Sequence, residues 1–143
     1  MSVWIAWRVE QARQQRLAVD EFRKLHVAVL YKDPKPGLSE RRESDWYERL
    51  FGAAYREPVE YLGFQHSRQL MLEPQRARKA LALLARIRGL RRLSLEGLPI
   101  GDSDLAWVKP LSGLRELNLR YTEVTNAGVA GLRQAIPNCS VIR

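Results

Sequence analysis

The chain has 143 residues, 45% hydrophobic and 28% charged, which is enough apolar material for one continuous core and too much for a disordered polymer. Its single cysteine, Cys139, excludes an internal disulfide, and one Cys with two histidines, His26 and His66, at no ligand spacing gives no zinc site. The formal net charge of +8 keeps phosphate-bearing partners in view, whether nucleic acid or anionic lipid.

The apolar runs are too short for a transmembrane segment. Ala80 to Ala85 is the longest, far below the roughly 20 residues a bilayer needs. Val3 to Trp7 is shorter and has no leading basic side chain, so it does not read as a signal peptide. From Trp7 to Leu25 the pattern is helical: Ala18, Val19, Phe22 and Leu25 share a face, while Arg13, Gln14, Gln15 and Arg16 make the earlier turns polar. His26 to Tyr31 is rich in β-branched and aromatic residues and reads as a strand capping the edge of a sheet, with His26 in a structural place. Lys32-Asp-Pro-Lys-Pro-Gly37 is a loop that the charged stretch through Glu43 extends. Ser44 and Asp45 open a further helix. Its Trp46, Leu50 and Ala54 share one face, as do Tyr47 and Phe51, a pattern of core packing or of a ligand pocket. Glu57-Pro58 stops it, so residues 1–58 form a capping region of helix, strand, loop and helix.

Residues 59–143 are organised differently. Val59-Glu-Tyr-Leu62-Gly-Phe64 alternates as a short strand, and Glu73-Pro74 opens a helix with Ala80, Leu81, Leu84 and Ile87 inward and Gly89 at its end. Then Leu90-Arg-Arg-Leu93-Ser-Leu95 and Leu114-Arg-Glu-Leu117-Asn-Leu119 match position for position, offset by 24 residues (114 − 90). In each, leucines alternate with polar residues, so one strand face is apolar. Leu105, Val108 and Leu111 in the first unit, and Val129, Leu132 and Ile136 in the second, suit short return helices. Asp102 or Ser103 caps the first of these, in preference to Asp102 and Asp104 forming a metal loop. A last strand covers 139–142, with Cys139 as a core residue. One strand and one helix cannot bury both apolar sets alone, whereas stacked units cover each other.

The L-x-x-L-x-L spacing at this period is the leucine-rich repeat pattern. Leu98-Pro-Ile100-Gly-Asp-Ser-Asp-Leu105 and Thr122-Glu-Val-Thr-Asn-Ala-Gly-Val129 resemble the bacterial, planctomycete-type leucine-rich repeats, as does the closing Ile136-Pro-Asn-Cys-Ser-Val-Ile-Arg143. Leu98 stands where that family has Thr, Asn or Cys, and Asp104 where it has a turn glycine. The fold class expected is α/β. It is a short leucine-rich-repeat solenoid with parallel strands near 59–64, 90–95, 114–119 and 139–142 on the concave side, helices on the convex side, and an N-terminal helix-strand-helix cap, all in one folded domain. The resemblance implies a protein-interaction segment without enzymatic activity. Trp7 to Arg16 also resembles the stretch that follows a single membrane-spanning helix in many small members. The expected location is cytoplasmic, with membrane association if an anchor helix precedes the chain; Arg8, Arg13 and Arg16 then favour the cytoplasmic side.

Two surfaces are candidates for function. Stacking puts positions three, five and seven of each unit on the concave face: Tyr61, Gly63 and Gln65, then Arg92, Ser94 and Glu96, then Glu116, Asn118 and Arg120. Tyr121 and His66 border it. Arg92 would face Glu116, and Glu96 would face Arg120, either as cross-strand pairs or as a polar docking surface for a protein partner. The alternative is a basic run of Arg76, Arg78, Lys79, Arg86, Arg88, Arg91 and Arg92 with no acidic residue among them. It reads as a solvated helix face or as a helix that attaches to nucleic acid or an acidic membrane. No nucleophile–base pair can be assembled from two structural histidines, so no catalysis and no cofactor are expected. Unit-to-unit contacts suffice for a monomer.

Overall fold

The computed structural model describes residues 2–31, 58–65 and 67–143. The alternating leucines produce a ladder. β2 (Val59–Gly63), β3 (Arg92–Ser94), β4 (Glu116–Asn118) and β5 (Ser140–Ile142) pair in parallel, and β1 (Ala28–Tyr31) runs antiparallel on β2. The order in the sheet is β1-β2-β3-β4-β5. Leu62, Leu93, Leu117 and Val141 stand in one register row. From β3 to β5 the row steps by 24 residues (117 − 93 and 141 − 117), the offset read between the leucine units.

The strands are shorter than their sequence patterns, yet the bonding outlasts them. Phe64 N–H donates to Ser94 C=O, Leu95 N–H to Asn118 C=O, and Leu119 N–H to Ile142 C=O. Leu90, Leu95, Leu114 and Leu119 are therefore buried although they flank the strands.

Helix α1 spans Ser2–Lys24 and starts five residues before the expected Trp7 (7 − 2). Ala18, Val19 and Phe22 are buried as the pattern requires, and Phe22 meets Phe64 edge-on at 5.7 Å. Gln15, expected in solvent, is 3% exposed and accepts a hydrogen bond from Arg88 N–H. His26 does not begin the strand. It has φ +57 and ends the helix: His26 N–H donates to Arg23 C=O and Val27 N–H to Phe22 C=O. This is the left-handed helix stop in which the residue after the turn, here buried Val27, packs back on the last turn. The expected loop 32–43, the expected helix 44–57 and His66 lie outside the described residues.

After β2 comes a short helix that the sequence reading did not anticipate, α2 (Arg68–Leu72), followed by α3 (Pro74–Ala82), with proline at the first helical positions where its missing N–H costs little. α3 tightens into a 3-10 turn at Leu83–Arg86, and Ile87 is already extended. The chain reaches β3 through Gly89, at φ +71, where a Cβ would run into Pro58. The returns differ between units. A 3-10 helix, Asp102–Trp107, follows β3, and α4 (Asn126–Ala135) follows β4. Leu105, Val108, Val129, Leu132 and Ile136 point into the same core as the strand leucines and Leu81 and Leu84. The result is a mixed α/β structure in which one sheet face is sealed by helices. Among the described residues no helix is long and apolar enough to cross a membrane.

Candidate functional site

The other sheet face carries the polar positions. The ladder aligns Tyr61, Arg92, Glu116 and Ser140 in one row, and Gly63, Ser94, Asn118 and Ile142 in the next. Gln65, Glu96 and Arg120 lie just beyond the strand ends. The expected face thus comes together, but its internal bonds differ from those expected. Arg92 and Glu116 are register partners without an ion pair; Arg92 instead lies over the Tyr61 ring, 5.6 Å from its centroid. Glu96 accepts from Asn118 Nδ2 at 2.8 Å rather than pairing with Arg120, and Asn118 Oδ1 accepts from Arg120 N–H.

Ser94 is a correction. The alternation places it among the contact residues, but it is only 6% exposed. Its Oγ makes no hydrogen bond within the protein. Next to it in the row, Gly63 lies under the Tyr61 phenol and the Gln65 amide, which bond to each other at 2.9 Å. A Cβ at Gly63 would meet both groups, so the absence of a side chain lets them close over the sheet. Tyr121, at φ +57, is 84% exposed.

A second feature of this surface lies outside the alternate positions. A groove of about 500 Å³ runs along the start of the strands, lined by Glu60, Arg91, Arg92, Arg115, Glu116 and Ser140, among others. Arg91 and Arg115 occupy the second position of their units, and their backbones continue the ladder: Arg91 N–H donates to Glu60 C=O, and Arg115 N–H to Arg91 C=O. Among the described residues neither guanidinium has an ion pair, although Glu60 and Glu116 line the same groove. The signal was in the aligned units, where the second position is charged three times over: Glu60, Arg91, Arg115.

The basic run is not brought together as one helix. Arg76, Arg78 and Lys79 lie on α3, Arg86 ends the 3-10 turn, and Arg88 and Arg91 follow outside any helix or strand. Arg76 pairs with Glu73 at 2.7 Å and Arg78 with Asp104 at 3.0 Å. Arg91 belongs to the groove.

The aspartates of the turn clasp both neighbours of their unit. Asp104 is 5% exposed; it accepts from Gly101 N–H and from Arg78 Nε of α3. Asp102 reaches forward and accepts from the hydroxyl and the N–H of Thr125. These two bonds, and the more distant charge of Arg143, hold the Asp102 carboxyl below its ordinary value. Burial, and then Glu116, push the Cys139 thiol up, away from the reactive thiolate. Among the described residues no three His, Cys, Asp or Glu side chains gather as a metal would require. No family model, curated protein or solved structure matches the chain.

Proposed function

We propose that the chain is a leucine-rich-repeat module of the bacterial, planctomycete type that binds a protein partner through the open face of its sheet. The observation that carries this reading is the ladder itself, which sets polar side chains in rows at the 24-residue step (116 − 92 and 140 − 116) beside an open groove. Repeat arrays use such a concave strand surface for binding. On this reading the module acts by binding rather than by catalysis. Arg91, Arg92 and Arg115, interspersed with Glu60 and Glu116, suit a polar peptide segment carrying carboxylates, which arginine binds through two parallel N–H bonds.

The test is capture from a lysate of the source cells at low and high salt, with the full chain as bait. A variant with Tyr61, Arg92, Asn118 and Arg120 changed to alanine runs beside it. The expected result is a protein retained at high salt by the wild type and reduced at least about tenfold with the variant, the scale of central interface residues. Capture unchanged by those four substitutions removes the open face as the binding site.

A further inference from the structure

α1 is 23 residues long, about 35 Å at 1.5 Å per residue, and only its second half is packed. One stripe follows the helix at spacings of three and four, through Trp4, Trp7, Gln11, Gln15, Ala18 and Phe22. From Gln15 onward it is sealed: Gln15 is 3% exposed, and Ala18 and Phe22 are 0%. Ahead of Gln15 the same stripe opens to solvent: Gln11 is part-buried, Trp4 and Trp7 are 60% and 51% exposed, and Val3 beside them is 81% exposed. The overhanging end of the helix thus displays two indoles and a valine that the core does not use.

Charge surrounds these rings. The Arg8 guanidinium lies 4.8 Å from the Trp4 centroid and that of Arg88 4.9 Å from Trp7. Arg88 arrives from the segment before β3, which its own N–H ties to Gln15 of α1. Arg86 is exposed on the 3-10 turn packed against α1. Residues 2–9 contain no acidic side chain, and the first carboxylate, Glu10, is engaged by Gln14 and Arg13.

We propose that this end of α1 is a docking site for an anionic lipid bilayer. Val3, Trp4 and Trp7 enter the boundary between headgroups and acyl chains, and Arg8 and Arg88 meet the lipid phosphates. The indole is amphipathic and settles at headgroup level, while arginine lays its stem on apolar surface and keeps its charge at the polar edge. An interfacial helix needs this combination of apolar side chains and cations. A second copy of the chain fits less well: it would press Arg8 and Arg88 against their equivalents, with no carboxylate at that end of the helix to offset them. The docking uses none of the open-face residues, so it stands or falls independently of partner binding.

The experiment is co-sedimentation of the full chain with vesicles of phosphatidylcholine alone and with about one third phosphatidylserine, an anionic-leaflet composition. The wild type is expected to bind the anionic vesicles and to be weakened by salt. Trp4→Ala with Trp7→Ala, and separately Arg8→Glu with Arg88→Glu, should each lower the partition coefficient at least about tenfold. Thermal melts matching the wild type show that the tryptophan variant is folded, as its exposed positions require. Three results overturn the proposal. One is no binding to the anionic vesicles. Another is binding indifferent to the tryptophan changes and lost on Arg76→Glu with Lys79→Glu, which assigns it to diffuse attraction by α3. The last is a concentration-dependent dimer abolished by the tryptophan changes, which makes a second copy the occupant.

Discussion

The units 90–113 and 114–138 share a strand and differ in the return. On the strand side they superpose in register, with Leu93 opposite Leu117 and the same flanking leucines buried. On the return side the first forms a 3-10 helix started by Gly101 with Asp104 folded back on it, whereas the second forms a ten-residue α-helix capped by Thr125, whose hydroxyl accepts from Gly128 N–H. Both returns bury two apolar side chains at matching places, Leu105 with Val108 and Val129 with Leu132. The strand is constrained by its neighbours on two sides, so its leucine spacing is strict. The return needs only to bury its apolar pair and satisfy its backbone, and different chemistry meets those demands equally well.

The equivalence of the strands is exposed to the largest effect. Leu93→Ala and Leu117→Ala should each cost about 2–5 kcal/mol in urea denaturation, because each leaves a cavity in the shared core. A gap above about 2.5 kcal/mol between them, wider than the spread among buried Leu→Ala changes in one protein, would break the equivalence. The next effect sharpens the difference between returns. Asp104→Ala removes the charged acceptor of the part-buried Gly101 N–H and frees Arg78, and should cost about 1.5–3 kcal/mol, the range for hydrogen bonds to a charged group. Arg78→Ala should cost less, because that side chain is half exposed.

The smallest effect concerns the forward clasp. A carboxyl whose folded-state pKa lies below its unfolded one adds stability that is complete above the unfolded value and lost as pH falls through the folded one. Asp102 is such a group, with an ordinary value of 3.8. Asp102→Asn should therefore lower the melting temperature at neutral pH, and the gap to wild type should close as pH falls below 3.8. A gap that persists in acid would mean that Asp102 acts through shape rather than charge.

The parts of this fold that were legible are those governed by local spacing. The leucines at 90, 93 and 95 and at 114, 117 and 119 specify the ladder because alternation is a property of neighbouring residues. The edge position of β1 was legible for the same reason. Gln15 was not, because its burial depends on a backbone N–H 73 residues away. Ser94 was not, because facing the open side of the sheet does not fix how much of a small side chain solvent reaches. Arg92 was read for its charge alone, although the aligned units already placed it beside Tyr61, whose ring it covers. Counting alternate positions also hid the groove, since Arg91 and Arg115 flank the strands at even positions.

Among the described residues, each strand of the sheet neighbours only the strand that precedes it and the one that follows it in the chain. Between parallel strands the chain closes loops of similar span, 31 residues from Tyr61 to Arg92, then 24 to Glu116 and 24 to Ser140. Closure entropy depends only weakly on such differences in length. Assembly is therefore a sequence of nearly equal steps, each rewarded at once by the surface it covers, instead of one costly search that must succeed before any contact forms. The sheet can grow outward from whichever pair of strands meets first and fray inward from its two edges, with the middle strand the last to lose its partners.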